Sequence, residues 1–331
     1  MICLAVDAGG TSTRAVALRR DGLCLGYGRA GSGNPVSAGT ALAAASVAAS
    51  AAGALAAAQV APDQVECCLV AIAGGVGADQ GGAFERALGG IGAAARPVFA
   101  SDALAAFFSG TRLQDGYALI VGTGTAATRV EAGREAAKAD GMGWLLGDAG
   151  SGFWIGHQAV RAAVAAIEGR GPATKLADLV FGEIRAGQTG PAALDPGRPP
   201  EASAALAALY SGRPVELARF APLVFGAAGD AVADAILAEA GQALTAALRA
   251  VAKPGVSGPV VCGGGVLSHH PQLAQRAAAG LPPGLAGAVR VVPDGVAGAA
   301  QLALRATGQD VGEDVFQRLA GSLAAVRRRP A

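Results

Sequence analysis

Charged and aromatic side chains are scarce in this chain of 331 residues, at 15% and 4%. Lys and Arg number 26 and Asp and Glu 25, so the formal net charge is only +1. Nucleic-acid-binding proteins usually carry a clustered basic surface. The one basic run here, residues 327–329, lies at the extreme C-terminus. We interpret that run as a frayed, solvated tail, and we expect no nucleic-acid partner.

Cysteine and histidine are also few. The five cysteines include no C-x-x-C pair and no even, spaced framework typical of disulfide-rich domains. The three histidines have no second ligand at zinc spacing. These absences favour reduced, mostly buried thiols in a cytoplasmic protein, and they argue against a structural metal.

Three common motifs are missing: the G-x-x-x-x-G-K-[ST] P-loop, the G-x-S-x-G nucleophile elbow and a complete G-x-G-x-x-G. The chain also starts without a basic region ahead of an apolar one. Between Arg29 and Asp63 there is no charge, which is long enough to span a bilayer. Most of that segment is Ala, Gly and Ser, however, so we predict a buried soluble helix and no membrane partner.

Hydrophobic residues, many of them Ala, make up 52% of the chain, enough for a sizeable core. Short apolar runs predict an antiparallel meander of strands over 2–6, 14–18 and 24–28. Alternating helices and strands follow up to residue 108, which indicates an α/β fold. Beyond residue 152 the pattern is mainly helical, with a Pro- and Gly-rich loop over 187–200.

The strand–turn–strand pattern restarts at residue 117. Asp7 aligns with Gly122 and Thr13 with Thr128, an offset of 115 residues (122 minus 7). A repeat of this kind predicts two related lobes around a cleft. The alternative is chance similarity in a chain rich in Ala, Gly and Thr.

Two Gly/Thr turns could bind phosphate, because glycine lets backbone N–H groups approach an anion. The first turn contains Gly9, Gly10, Thr11, Ser12 and Thr13, and the second contains Gly122, Thr123, Gly124 and Thr125. Two such turns facing one cleft would hold a polyphosphate from both sides. Asp7 would suit a hydrated Mg²⁺ that bridges to the phosphates. The alternative is an ordinary hairpin turn in which Asp7 is a local cap.

Three further segments are candidates for the site. Asp102 follows a strand and begins a helix, so it is either an N-cap or a carboxylate that accepts a proton from a substrate hydroxyl. Asp148 lies in a Gly-rich loop and could accept hydrogen bonds from sugar hydroxyls or cap the following helix. Trp144 is the aromatic residue best placed to line a pocket. Gly263, Gly264 and Gly265 follow a strand and form either a ligand contact or a tight turn.

Together these segments resemble the BadF/BcrA-type ATPases of the actin-like superfamily, in particular their N-acetylglucosamine kinase branch. The resemblance runs through nearly the whole chain in the family's order. The matching stretches are VDAGGTSTRAVAL from Val6, GSGNP from Gly31, SDALAA from Ser101, IVGTGTAATR from Ile120, GWLLGDAGSGFWIGHQAVRAA from Gly143 and VVCGGGV from Val260.

The resemblance implies a two-lobed actin-like fold with duplicated ribonuclease-H-like domains and a central cleft. It implies ATP and Mg²⁺ as cofactors and Asp102 as the catalytic base. The two turns correspond to the family's phosphate motifs, and residues 263–265 correspond to its adenosine motif. The implied sugar ligands are Asn34, Asp102, Gly143, Trp144 and Asp148. Ala126 and Ala149 depart from the Asn and Glu of some relatives, which affects the identity of the sugar.

The resulting prediction is an ATP-dependent kinase for the 6-hydroxyl of N-acetylglucosamine or a related hexosamine. A glucosamine kinase is the alternative within the class. A nucleotide-driven activator without a sugar acceptor is the alternative outside it, although no Cys lies between Cys68 and Cys262 to hold an iron–sulfur cluster. We predict an N-terminal lobe over 1–112, a C-terminal lobe over 113–308 and a last helix and tail over 309–331. A homodimer is left open.

Overall fold

The computed structural model describes residues 1–75, 77–187 and 197–329, so most of the predicted loop over 187–200 lies outside the described residues. The first half contains β1 (Ile2–Ala8), β2 (Thr13–Arg19), β3 (Cys24–Ala30), α1 (Pro35–Ala38), α2 (Thr40–Ala58), β4 (Val65–Ile72), α3 (Ala78–Gly90), β5 (Pro97–Ser101) and α4 (Asp102–Gly110). The second half begins with β6 (Gly116–Val121), β7 (Thr125–Glu131), β8 (Arg134–Asp140), α5 (Gly152–Ile167), α6 (Leu176–Ala186) and α7 (Pro200–Tyr210). It continues with α8 (Ala221–Gly226), α9 (Ala231–Val251), β9 (Gly258–Gly263), α10 (Gly265–His269), α11 (Pro271–Ala279), β10 (Ala286–Val291), α12 (Val296–Ala306) and α13 (Glu313–Arg327). Short 3₁₀ helices cover Pro62–Gln64 and Pro214–Phe220.

Two five-stranded sheets have the same topology. Their strand orders are β3-β2-β1-β4-β5 and β8-β7-β6-β9-β10. In each sheet the first three strands along the chain pair antiparallel, and the last two join in parallel. This matching topology confirms the predicted α/β class and the predicted duplication.

The register of the two hairpins corrects the predicted alignment. Ala8 pairs with Thr13 in the first hairpin, and Val121 pairs with Thr125 in the second. Thr13 is therefore equivalent to Thr125 rather than to Thr128. The alignment is wrong by two residues before the turn, where Ala8 corresponds to Val121, and by three after it, because the second turn is one residue shorter than the first.

Close packing of small residues shapes the first lobe. A Cβ added to Gly26 or Gly28 on β3 would collide with the backbone of α2 at Ala54 or Ser50.

Helix α2 and helix α9 are both long and apolar enough to cross a membrane by length and composition. Half of the α2 window is buried inside the protein, as expected for a core helix.

Two crossing helices join the lobes. Helix α12 packs its buried face on β1 and β4 of the first sheet, although the predicted boundary at 308 assigns it to the second lobe. Helix α4 contacts residues of the second sheet, including Val130 and Val261. The two helices approach so closely that a Cβ on Gly298 would collide with the Ala105 carbonyl. The last helix, α13, packs against β3.

Candidate functional site

The first Gly/Thr turn closes the β1–β2 hairpin. The Gly9 N–H donates to the Ser12 carbonyl at 3.1 Å, and the Gly33 N–H donates to the Gly9 carbonyl at 3.0 Å. Thr13 is fully buried, and its hydroxyl donates to the Gly31 carbonyl at 2.8 Å. The Thr13 hydroxyl proton is thus engaged in holding the neighbouring loop. The backbone of the turn and the exposed Thr11 remain as donors that could reach a phosphate.

The second turn is fixed by the start of α5. The Gly122 N–H donates to the Gly124 carbonyl at 2.9 Å. The Gly152 and Phe153 N–H groups donate to the carbonyls of Gly122 and Thr123 at 2.8 and 3.1 Å. The first N–H groups of a helix normally lack intrahelical partners, and here they hold the turn in place.

Asp148 also holds the second turn. Its Oδ1 accepts from the Thr125 N–H at 2.9 Å, and the residue is only 7% exposed. A Cβ on Gly124 would lie 2.7 Å from the same oxygen. Burial raises the pKa of Asp148, with a smaller contribution from the Asp140 charge, while the Thr125 hydrogen bond lowers it. The N-cap of α5 is Ser151, whose Oγ accepts from the Trp154 N–H at 3.1 Å, so Asp148 is not the cap.

Asp140 organises the loop that carries Asp148. Its Oδ1 accepts from the N–H groups of Gly141 and Asp148, both at 2.7 Å, and its Oδ2 accepts from Ala149 at 3.2 Å. Sequence reasoning missed this residue because it did not predict β8, at whose end Asp140 lies. A signal was available in the Asp-Gly pair at 140–141, which is typical of a tight turn.

Asp102 is the first residue of α4, and Ser101 is its N-cap. The Ser101 Oγ accepts from the Leu104 N–H at 3.0 Å and donates to Glu135 Oε1 at 2.8 Å. The Asp102 Oδ1 accepts from the adjacent Ala103 N–H, at 2.9 Å. Burial raises the pKa of Asp102, opposed by the Lys138 ammonium and the Ala103 N–H, and the Glu135 charge raises it further. The Asp102 side chain is therefore not needed as the cap and lies between the lobes, beside β8.

Asp7 lies buried at the end of β1, at the base of the first turn. Its Oδ2 accepts from the Gly295 N–H, at the start of α12, at 2.8 Å. Burial and the Asp294 charge raise the pKa of Asp7 to about 7, and Asp102 adds to the effect. The Gly295 hydrogen bond and Arg14 act in the opposite direction. A carboxylate in such surroundings is stabilised by a bound cation.

The predicted sugar residues lie on both sides of the cleft. Asn34 caps α1, because its Oδ1 accepts from the Val36 N–H at 2.8 Å. Arg213, from the second lobe, donates to the Ser37 carbonyl of the same short helix. Trp144 is 42% exposed and makes an edge-to-face contact with Phe153, with ring centroids 6.1 Å apart. Gly143, just before Trp144, has a φ of +77°, which favours glycine.

The predicted adenosine segment runs from Gly263, the last residue of β9, to Gly265, the first residue of α10. Gly264 has a φ of +89°, and a Cβ there would collide with the Val121 carbonyl at the end of β6. A Cβ on Gly265, in contrast, would meet no atom within 4 Å, and the same holds for Gly10 in the first turn. These two glycines leave open space beside the backbone, where a flat or phosphate-bearing ligand could approach.

The residues present fit a magnesium nucleotide. No group of three or more His, Cys, Asp or Glu side chains in the described ranges could hold a metal by itself. Mg²⁺ usually keeps several waters and binds through one or two carboxylates plus substrate phosphates. Asp7 would supply the carboxylate, and the Gly10 and Gly265 backbones leave room for the phosphates and the nucleoside.

Comparison with known proteins decides the family. The sequence model of the BadF/BadG/BcrA/BcrD ATPase family matches residues 4–301. The chain belongs to this family. No curated protein sequence matches the chain significantly.

Solved structures of this ATPase's fold include sugar kinases. A candidate N-acetylglucosamine kinase from Chromobacterium violaceum is 26% identical, with a TM-score of 0.70 over 91% of this chain and 98% of that chain. A second one, from Porphyromonas gingivalis, is 18% identical, with a TM-score of 0.67 over 92% and 99%. A ROK family glucokinase from Streptomyces griseus, solved with glucose and AMPPNP, is 18% identical, with a TM-score of 0.55 over 92% and 100%. The predicted two-lobed actin-like fold is confirmed.

Proposed function

We propose that this ATPase is a kinase that transfers the γ-phosphoryl group of ATP to the 6-hydroxyl of N-acetylglucosamine or a related hexosamine. The observation that carries the proposal is the placement of Asp102. Ser101 satisfies the start of α4, which leaves the Asp102 carboxylate between the lobes, where burial raises its pKa. The 26% identity to the candidate N-acetylglucosamine kinase supports the choice of acceptor.

In this proposal the bound magnesium nucleotide supplies the phosphoryl group and neutralises the charge that develops on it. Asp102 accepts the proton of the sugar hydroxyl as that hydroxyl attacks, which requires a base whose pKa is closer to neutrality than an ordinary carboxylate's. The backbones of the two turns position the phosphates. Asp148 orients the sugar through Oδ2, since its Oδ1 is engaged by Thr125.

The proposal includes closure of the two lobes around the substrates. The Ser101–Glu135 and Arg213–Ser37 hydrogen bonds both connect the first lobe to the second. In a phosphotransferase, closure excludes water, which would otherwise compete with the sugar as acceptor. Closure would also bring Asn34 and Asp148 to the same sugar.

The test measures ATP consumption by the purified protein with N-acetylglucosamine, glucosamine, glucose and N-acetylmannosamine, with detection of the sugar phosphate. We expect the highest kcat/KM for N-acetylglucosamine or a related N-acyl hexosamine. A preference for glucosamine would establish the alternative acceptor. ATP hydrolysis that no sugar accelerates would refute the kinase and favour the nucleotide-driven activator.

A further inference from the structure

Arg327, the first residue of the basic run at the C-terminus, is held by contacts with the rest of the protein. The interpretation of the run as a solvated tail is therefore wrong for Arg327. The Arg327 Nη2 lies 2.6 Å from Asp294 Oδ1, and the two side chains are 26% and 7% exposed. The Arg327 guanidinium also lies over the Tyr27 ring, 5.5 Å from its centroid. The long C-terminal helix α13 thus ends on a buried carboxylate.

Asp294 connects this contact to the predicted magnesium residue in two ways. Its Oδ2 lies 3.3 Å from the Arg14 Nε, and the Arg14 Nη1 lies 4.0 Å from the Asp7 Oδ2. Asp294 also directly precedes Gly295, whose N–H donates to that same Asp7 oxygen at 2.8 Å. Cations and carboxylates therefore alternate from the last helix to the base of the first turn.

We propose that Arg327 is a positioning residue for the magnesium–nucleotide site, which holds Asp294 in place and, through Arg14 and Gly295, fixes the orientation of the Asp7 carboxylate. This inference rests on the proposed function. It gives the last residue of α13 a role in the site.

The physical reason is the burial of Asp294. Removing one of the two cationic partners of a buried carboxylate leaves its charge undercompensated, which favours a closer approach of the remaining cation. Without Arg327, Arg14 would move toward Asp294 and away from Asp7, to which it is already less tightly held. Among the described residues the buried Arg327 Nε has no hydrogen-bond partner. Asp294 and the Tyr27 ring are therefore the contacts that hold the guanidinium.

The test compares Arg327→Met with Arg328→Met, a matched control at the next, exposed position. The ADP dissociation constant is measured by calorimetry with and without Mg²⁺, which needs no turnover. We expect the increase in ADP affinity on adding Mg²⁺ to be about tenfold smaller in Arg327→Met than in the parent, which is the order of one charge-assisted hydrogen bond. ADP affinity without Mg²⁺ and the KM for the sugar should stay near the parent values. Arg328→Met should match the parent, and Arg327→Lys should restore most of the effect.

Three results in the variants would overturn the inference. The first is an Arg327→Met protein that keeps the parent's full response to Mg²⁺, and the second is one that loses ADP affinity equally with and without Mg²⁺. If Arg327→Met fails to fold, Asp294→Asn is measured in its place, with the same expected pattern. The third overturning result is a Mg²⁺ response in Asp294→Asn equal to that of the parent. If Mg²⁺ does not change the ADP affinity of the parent protein, both the inference and the proposed Mg²⁺ cofactor are refuted. If Mg²⁺ raises the ADP affinity of the parent and of the variants equally, only the inference is refuted.

Discussion

Asp148 offers the sharpest test of the site, because we assign separate partners to its two carboxylate oxygens. Its Oδ1 accepts from the Thr125 N–H of the second Gly/Thr turn at 2.9 Å. Its Oδ2 is the atom we assign to the sugar. Replacing the side chain in two ways should separate the two roles.

In Asp148→Asn the amide oxygen can still accept from Thr125, but the amide nitrogen that replaces Oδ2 cannot accept from a sugar hydroxyl. A hydrogen bond to a charged group contributes about 1.5–3 kcal/mol. The sugar KM should therefore rise about 10- to 100-fold, while the KM for ATP stays within about twofold. Asparagine tolerates the left-handed backbone at this position, where φ is +61°, so little strain is added.

In Asp148→Ala both roles are lost, so the KM for ATP should rise along with the sugar KM. Alanine is strained at a positive φ, and Asp148→Gly is the control that removes the carboxylate without that strain. Steady-state kinetics with each substrate varied, beside the melting temperature, makes the comparison. An unchanged sugar KM in Asp148→Asn would eliminate the sugar contact. An unchanged KM for ATP in Asp148→Gly would show that the Thr125 bond does not shape the phosphate site.

Three other substitutions test separate parts of the site. Asp102→Asn should lower turnover by about 10²–10⁴-fold with nucleotide affinity intact, and turnover within a few-fold of the parent would exclude Asp102 as the base. Gly10→Val should weaken ATP binding at an unchanged melting temperature, because a Cβ there meets no protein atom within 4 Å; equal affinities in calorimetry would contradict the phosphate role. The raised pKa of Asp7, about 7, means that this residue's contribution to the stability of the nucleotide-free protein falls as the pH rises from about 4 to 7, since only the folded state then holds the proton. The fall in melting temperature between pH 5 and pH 8 (values flanking about 7) should therefore be smaller in Asp7→Asn than in the parent. An equal fall in both proteins would contradict the raised pKa of Asp7.

The parts of the fold that could be predicted are those where local pattern and tertiary environment agree. Strands β1 and β4 are buried aliphatic runs that end at Gly-rich turns, so their composition alone indicates them. Strand β8 is the opposite case. Its sequence, REAAKAD, consists largely of good helix formers, and it becomes an exposed strand because it pairs with β7. Missing β8 meant missing Asp140, and with it the reason that the loop of Asp148 has its shape.

A one-residue ambiguity limited the prediction for Asp102. Ser and Asp are both strong N-caps, and a sequence in which they are adjacent does not say which one fills the role. The structure gives the cap to Ser101, and only that outcome leaves the Asp102 carboxylate for chemistry. The predicted catalytic role of Asp102 thus depended on Ser101, whose own role in the structure is to cap the helix.

The contact between Asp294 and Arg14 shows a different limit, that of sequence distance. Asp294 and Arg14 are separated by most of the chain, and no local pattern relates them. A usable signal was nevertheless present in the composition. In a chain with only 25 acidic residues, a carboxylate that stands between an apolar strand and an apolar helix is a candidate for burial, and a buried charge is normally paired with an opposite charge or hydrogen-bonded. The basic residues at the C-terminus, interpreted as a tail because they end the chain, were candidates for that partner from the start.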